Sequence, residues 1–421
     1  MNISLFIARR LHLKGSKKES SSSSTIIAIT GVAIAIIVMV ITLCVVLGFK
    51  HQIREKIIGF DAQITINPIV TQIEGEDVQT ITFTDSLNNI LESAIDSNGS
   101  TPIIALTLKQ PGIIKTADNF AGLIFKGVDN NNDLSFITRT IVEGTIPNFA
   151  IDSCKNKILI SSNTASALNI NLGEKINTYF FSNGNIRTRK FEIAGIYNSN
   201  FSDYDNKIAF APLSTLQRIA QIDSISGSSI EITGIDNDKI ETQSIEIQKA
   251  INNAVYNQSL SSLYQVDNVL HSGAMYFNWL DLLDTNVVVI LILMSCVAGF
   301  TLISCLFIII LERIKTIGLL KAIGATNAQV RSIFIHMAQR LIIRGMFIGN
   351  IISLSFVFIQ EKFHIIPLDP NAYYLSFVPI EINWLHIALL NICVIVISSI
   401  VLILPSHLAS TISPSQTMRY E

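Results

Sequence analysis

A chain of 421 residues that is 49% hydrophobic and only 15% charged is too apolar for a soluble enzyme of that length. Its mean hydropathy of +0.47 places the excess in membrane-crossing segments. The net charge of −2 points to no nucleic-acid partner, so what matters is where the charges sit.

Residues 1–25 open with "NISLFIARRLHLK", which puts Ile3, Phe6, Ile7 and Leu11 on one helical face and Arg9, Arg10 and Lys14 elsewhere. That pattern predicts a short amphipathic segment at the cytoplasmic interface, joined by "SSSSS" to the first apolar run. A positive-inside anchor accounts for it as well as a docking role does. The apolar run itself, 26–48, meets the spanning length of about 20 residues. It comes after 25 polar and basic residues and precedes no small-x-small site, so it reads as a span rather than a cleaved signal. A lipoprotein signal fits less well still, because Leu43 stands before Cys44 where a small residue is expected.

Residues 49–285 form the large polar part, enough chain for one or two cores. Alternation predicts strands at "AQITINPI", "TPIIALTLKQ", "GLIFKGV", "KILISS", "KFEIAGIY", "KIAFAP" and "SSIEITGI". Helical spacing appears at 84–95, with Thr84 as N-cap, at "NTASALNI", at "PLSTLQRIA" and continuously from about 240 to 285. Asn183–Gly184 is a hairpin signal. Asp203 and Asp205 in "FSDYDNK" are a close acidic pair whose expected role is to shape a turn rather than to transfer protons.

Three further spans lie at 286–311, 341–359 and 385–404. A charge at a span centre costs roughly 2.5–3.5 kcal/mol, and the central parts of all four runs carry none. Basic residues crowd the segment before the first span and the link 312–340, while the link 360–384 carries only Lys362. Both basic segments belong in the cytoplasm, which places 49–285 and 360–384 outside and the tail 405–421 inside. The expected fold is therefore membrane α-helical, with four transmembrane helices, plus an α+β extracytoplasmic domain. Cys44, Cys296, Cys305 and Cys393 lie in spans, so Cys154 is alone in the outer domain and no disulfide supports that core.

Several chemistries are missing. No Gly-Lys-Ser/Thr follows a suitable glycine, so ATP hydrolysis is not expected of this chain. The seven histidines are scattered, no Cys/His group has metal spacing, and no catalytic residue, metal or cofactor is predicted. Secondary carriers place ionisable groups inside their bundles, and the central parts of these spans offer none, Arg344 lying near the start of its run. Energy for any transport must arrive through contacts.

The link "ERIKTIGLLKAIGATNAQVRSIF" (312–334) is where contacts are expected. At helical spacing Ile314, Ile317, Leu320 and Ile323 make a partly apolar face ringed by Glu312, Arg313, Lys315 and Lys321. Gly324 is predicted to end this helix and Asn327 to cap the next. A stripe without an intrachain partner fits either a groove on another protein or the membrane interface, and physics leaves the two level.

The same segment resembles the signature of the FtsX/MacB-type ABC permease superfamily, matching at Glu312, Arg313, Ile317, Gly318, Lys321, Ala322, Gly324 and Ala325. In that superfamily it is a coupling helix that docks on a partner ATPase, so the resemblance favours docking. "LFIARRL", "FKGVDNNNDLSF", "IVEGTIP", "ILISSNTASALNINLGEKI", "FEIAGIYNSNFSDYDNKIAFAPL" and "SPSQTMRYE" resemble lipoprotein-releasing permeases of the LolC/LolE type. The resemblance implies a MacB-like periplasmic core domain and residence in the bacterial inner membrane with both termini cytoplasmic. It also implies a dimer with itself or a paralogue, two ABC ATPase subunits that bind the ATP, lipoprotein substrates drawn from membrane lipid, and a periplasmic chaperone as recipient. The hairpin "INTYFFSNGNIRTRKF" is too short for the chaperone-recruiting hook of LolC-type subunits and is closer to the LolE type. Two alternatives remain: a MacB-like export permease, which would carry a fused ATPase absent here, and an FtsX-like signalling scaffold that transports nothing.

Overall fold

A computed structural model describes residues 20–69, 80–95, 101–149, 151, 154–182, 184–260, 262–312 and 314–403. The amphipathic segment expected at 2–14, the tail 405–421, Asn183 and Arg313 lie outside the described residues. The chain divides into two compact units.

The first unit comprises Met1–His51, Leu280–Pro367 and Phe377–Glu421. Among the described residues, four helices are long and apolar enough to cross a membrane: α1 (Ser20–Phe60), α9 (Ala274–Glu312), α11 (Asn327–Phe363) and α13 (Trp384–Val401). The first three run well past the apolar runs expected at 26–48, 286–311 and 341–359. A hydrophobic run marks only what suits lipid, whereas the helix continues until something stops it. The fourth spans Trp384–Val401, and Leu404, where the expected run ends, lies outside the described residues.

In this unit α1 leans on α11 through the GxxxG pair Gly345 and Gly349. A Cβ at Gly349 would sit 2.8 Å from Cβ of Ile36 and 2.9 Å from the Ala33 carbonyl, so only glycine admits the approach. These small residues therefore serve packing within one chain. Between α11 and α13, Asn350 and Asn391 exchange amide hydrogen bonds of 2.8 and 3.2 Å amid apolar neighbours. A cavity of about 700 Å³ opens between α1, α9 and α13. Leu43, Leu291, Leu389 and Val394 are among its apolar lining, and Asp284 and His386 lie at its polar end. Beside that end, Lys50 pairs with Asp284 at 2.5 Å.

The second unit comprises Gln52–Trp279 and Leu368–Ser376, so nine residues of the link 360–384 join it. Its strands are β1 (Ile64–Pro68), β2 (Ile81–Thr82), β3 (Ile103–Lys115), β4 (Phe120–Val128), β5 (Ile141–Gly144) and β6 (Lys157–Ser161). They continue with β7 (Lys175–Ser182), β8 (Asn185–Tyr197), β9 (Ile208–Pro212), β10 (Ser226–Gly227), β11 (Ser229–Thr233) and β12 (Tyr264–Asn268). Ten of them make one sheet in the order β12-β1-β11-β3-β4-β9-β6-β8-β5, with β7 bridging β3 and β8, while β2 and β10 pair separately. The pairs β3–β4–β9–β6–β8–β7–β3 form a closed six-strand circuit. Phe125, Phe180 and Phe191 fill its inside, with ring centroids 5.0–6.2 Å apart.

All seven expected strands and the expected helices α2 (Asp85–Ala94), α4 (Ser162–Leu168) and α6 (Leu213–Ala220) are present, giving an α+β unit. Thr84 caps α2 as predicted, accepting from the Leu87 amide at 3.3 Å. The remaining helices are α3 (Ser135–Thr140), α5 (Ser202–Asp205), α7 (Ile240–Tyr256), α8 (Val269–Ser272), α10 (Ile314–Ala322) and α12 (Pro370–Tyr373). The continuous helix expected over 240–285 is broken. It stops at Asn257, where Gln258 turns left-handed (φ 59°), and Tyr264–Asn268 pair with β1 before α9 begins. Helical spacing alone could not show that "YQVDN" had an edge strand waiting for it.

Candidate functional site

The link after α9 is built as a tight helical elbow. Helix α10 ends in a Schellman turn: Ala325 N–H donates to the Leu320 carbonyl and Gly324 N–H to that of Lys321, both at 3.0 Å. Gly324 takes φ +98°, as its predicted role demands. Lys321 stands in the last turn, where a cation complements the helix dipole. The cap of α11 is Thr326, not Asn327 as expected. Its hydroxyl accepts from the Gln329 amide at 3.3 Å while Gln329 Oε1 accepts from the Thr326 N–H at 2.9 Å, a complete capping box. The pair Thr326…Gln329 was readable as that signature, and Asn327 becomes the first helical residue.

The two elbow arms pack on each other. Ile317 is 1% exposed and clusters with Val330 and Phe334 of α11, and Gly318 is buried beside it. Most of the expected stripe therefore has an intrachain partner, contrary to expectation, and Ile323 alone of its four residues stays exposed. Ile314 and Leu320 are half-buried on the same side, and Ala325 packs at its edge. What remains outward is Ile323 of that stripe, at 75% exposure, joined by Leu319 at 60%, one turn away, with Ala322 and Gly324 beside them and Lys321 half-buried. Glu312 is exposed at the end of α9, and Arg313 lies outside the described residues. The matched signature thus splits. Ile317 and Gly318 build the elbow, and Lys321, Ala322 and Gly324 border the exposed apolar pair. Leu319 could be found from the sequence only by knowing which side α11 would cover.

In the second unit, Asp203 and Asp205 lie on α5. Asp205 shapes its turn as expected, accepting from the Ser199 hydroxyl at 2.6 Å and the Ser199 amide at 3.2 Å. Burial raises its carboxyl above the ordinary range despite those bonds and the nearby Lys56. Asp61 shifts the other way. Burial would raise it, but Lys109, the Tyr204 hydroxyl and Lys126 outweigh burial and hold it below the usual value. The β7–β8 hairpin closes at Ser182 opposite Asn185, with Gly184 at φ +69° and no protruding insertion.

Residues 25–250, more than half of the chain, match the MacB-like periplasmic core domain. The chain belongs to that family. Residues 288–414 of this MacB-like chain match the FtsX-like permease C-terminal region, which contains the elbow. Similarity also runs almost from end to end. The lipoprotein-releasing system transmembrane protein LolC of Xylella fastidiosa is 19% identical over 412 residues, covering 94% of this chain and 93% of its own. LolC of Neisseria meningitidis is 20% identical, covering 97% of each chain. LolE of Haemophilus influenzae is 21% identical, covering 99% of each. Similarity at this level does not separate a LolC-type from a LolE-type chain.

Proposed function

We propose that this chain is the permease subunit of an ABC transporter that extracts lipoproteins from the inner membrane, driven by a separate ATPase. The observation that carries the reading is the similarity to LolC and LolE proteins over 94–99% of the chain. In this proposal α1, α9, α11 and α13 are four transmembrane helices, 49–285 is periplasmic, and 1–25, 312–340 and 405–421 are cytoplasmic. The chain forms a dimer with itself or a paralogue and engages two ATPase subunits that bind the ATP.

The ATPase contacts the elbow, with Glu312, Arg313, Ile317, Gly318, Lys321, Ala322, Gly324 and Ala325 as its coupling residues. The exposed pair Leu319 and Ile323 supports a division of labour in which those two side chains enter the ATPase groove. Ile317 keeps α10 stiff against α11, so displacement of α10 is passed on rather than absorbed. The apolar cavity between α1, α9 and α13 supports a lipid-handling role, since its size suits acyl chains within the span. A periplasmic chaperone receives the cargo, and the hairpin without insertion favours recruitment by another subunit.

Depletion of the chain tests the reading. Mature lipoproteins should accumulate in the inner membrane. Normal lipoprotein localisation with defective septation would overturn transport in favour of a signalling scaffold.

A further inference from the structure

Three segments continuous with the membrane-length helices and their link belong to the second unit: residues 52–60 of α1, 274–279 of α9, and 368–376. All three converge on α5 and the turn before it. Asp203 Oδ2 accepts from two hydroxyls at once, that of Tyr276 on α9 at 2.8 Å and that of Tyr374 at 3.0 Å. Lys56 of α1 donates to the carbonyls of Ser199 at 2.5 Å and Tyr374 at 2.6 Å. Tyr204 donates to Asp61, one residue past the end of α1, at 2.5 Å. The fully buried Phe201 ring packs edge-on against Tyr276 and Tyr374, with centroids 5.2 and 4.8 Å away, and Phe60 stacks on Tyr204 at 4.8 Å.

The turn that receives these contacts is itself anchored. Asp205 holds Ser199, and Ser161 at the end of β6 donates to the Asp205 carbonyl. The end of α1 is tied on its other side, where Lys126 of β4 donates to the Phe60 carbonyl at 2.7 Å and Lys109 of β3 meets Asp61 at 3.2 Å. The phenylalanine core of the strand circuit needs none of this. Asp203 contributes nothing to that core and joins two segments distant in sequence through one oxygen. Hydrogen bonds to an ionised carboxylate are about twice as strong as neutral ones.

We infer that Asp203, with Tyr276, Tyr374 and Lys56, is a positioning clasp that makes these three segments and α5 move as one body. As a step in lipoprotein release, the inference rests on the function proposed above. As a statement about local opening, it stands alone. The clasp acts by transmitting displacement without slack, and none of its groups reacts.

The test uses the full chain co-purified with its ATPase. Asp203→Ala and the shape-preserving double variant Tyr276→Phe/Tyr374→Phe are compared by amide hydrogen exchange and by ATP-driven lipoprotein release. Amides of 369–374 and 274–279 should exchange at least about tenfold faster in both variants, while β3 and β7 exchange at the wild-type rate. Release should fall while basal ATP hydrolysis stays unchanged. Wild-type exchange in both variants would overturn the clasp. Faster exchange with undiminished release would overturn its role in transmission. If the unaltered complex hydrolyses ATP but releases no lipoprotein, the proposed function fails, and the exchange result alone decides the clasp.

Discussion

The buried pair Lys126–Glu231 offers a sharp test of how α1 is fastened. Their charged atoms lie 2.8 Å apart with each side chain only 7% exposed, on β4 and β11. Lys126 has a second task, donating to the Phe60 carbonyl at the end of α1, where the helix dipole favours a cation. Replacing Lys126 by Met keeps most of the volume but leaves Glu231 buried without its counter-charge. Glu231 already has one oxygen, Oε1, without a hydrogen-bond partner among the described residues, so it has little else to fall back on. Breaking a buried pair from one side costs roughly 3–5 kcal/mol, whereas replacing both partners by apolar groups is close to neutral.

Lys126→Met should therefore raise the open population by about 150-fold or more, and Lys126→Met/Glu231→Leu should recover most of that. The double variant should retain a deficit of about 1–3 kcal/mol from the undonated Phe60 carbonyl. Pulse proteolysis of the full chain in detergent across a urea series reads both quantities. If Lys126→Met lies within about 1 kcal/mol of wild type, or the double variant is as unstable as the two singles summed, the reasoning is wrong.

Other outcomes can be checked alongside. At the elbow, Leu319→Glu and Ile323→Glu should abolish ATPase co-purification without loss of membrane insertion, whereas Ile317→Ala should lower thermal stability by about 2–5 kcal/mol equivalent as the α10–α11 contact empties. Gly324→Val should weaken ATPase capture because φ +98° is closed to a β-branched residue, and Lys321→Glu should do so by reversing charge beside the exposed pair. Unchanged pull-down in these last two variants would refute docking at the elbow. Asn391→Leu removes the hydrogen bonds that cross from α13 to Asn350, leaving its Nδ2 only the Met346 carbonyl on its own helix, and should cost roughly 0.6–2 kcal/mol, measured by steric trapping or by thermal unfolding in detergent. For pH, Asp61 is held below its ordinary value of 3.8, so its contribution is complete above that pH and lost as pH falls through the lower folded value. Burial would lower Lys109, but Asp61 and Glu231 outweigh it and raise the amine above 10.5, so its contribution persists below that pH and is lost well above it. Asp205 has the opposite sign from Asp61, so the comparison of Asp61→Asn with wild type, rather than either acid limb alone, isolates the effect. A variant with the same acid limb as wild type would refute it.

Local rules carried much of this protein. Hydrophobic runs of about 20 residues or a little more located the four membrane-length helices among the described residues, because lipid demands apolar side chains whatever the tertiary structure. Strand alternation found seven strands, and Thr84 and Gly324 were legible because caps depend on residues within one turn. Long-range partners were not legible. The "YQVDN" strand needed β1 beside it, and the exposed side of α10 was fixed only when α11 covered Ile317 and left Leu319 and Ile323 outward. Asp203 looked like an ordinary turn acid because the two tyrosines that bond it stand 73 and 171 residues further along the chain. Composition and short-range chemistry determined which segments are long and apolar enough to cross a membrane and where many helices begin and stop. Only the tertiary structure decided which faces are spent inside the molecule, because burial is a property of pairs of segments and no single segment encodes its partner.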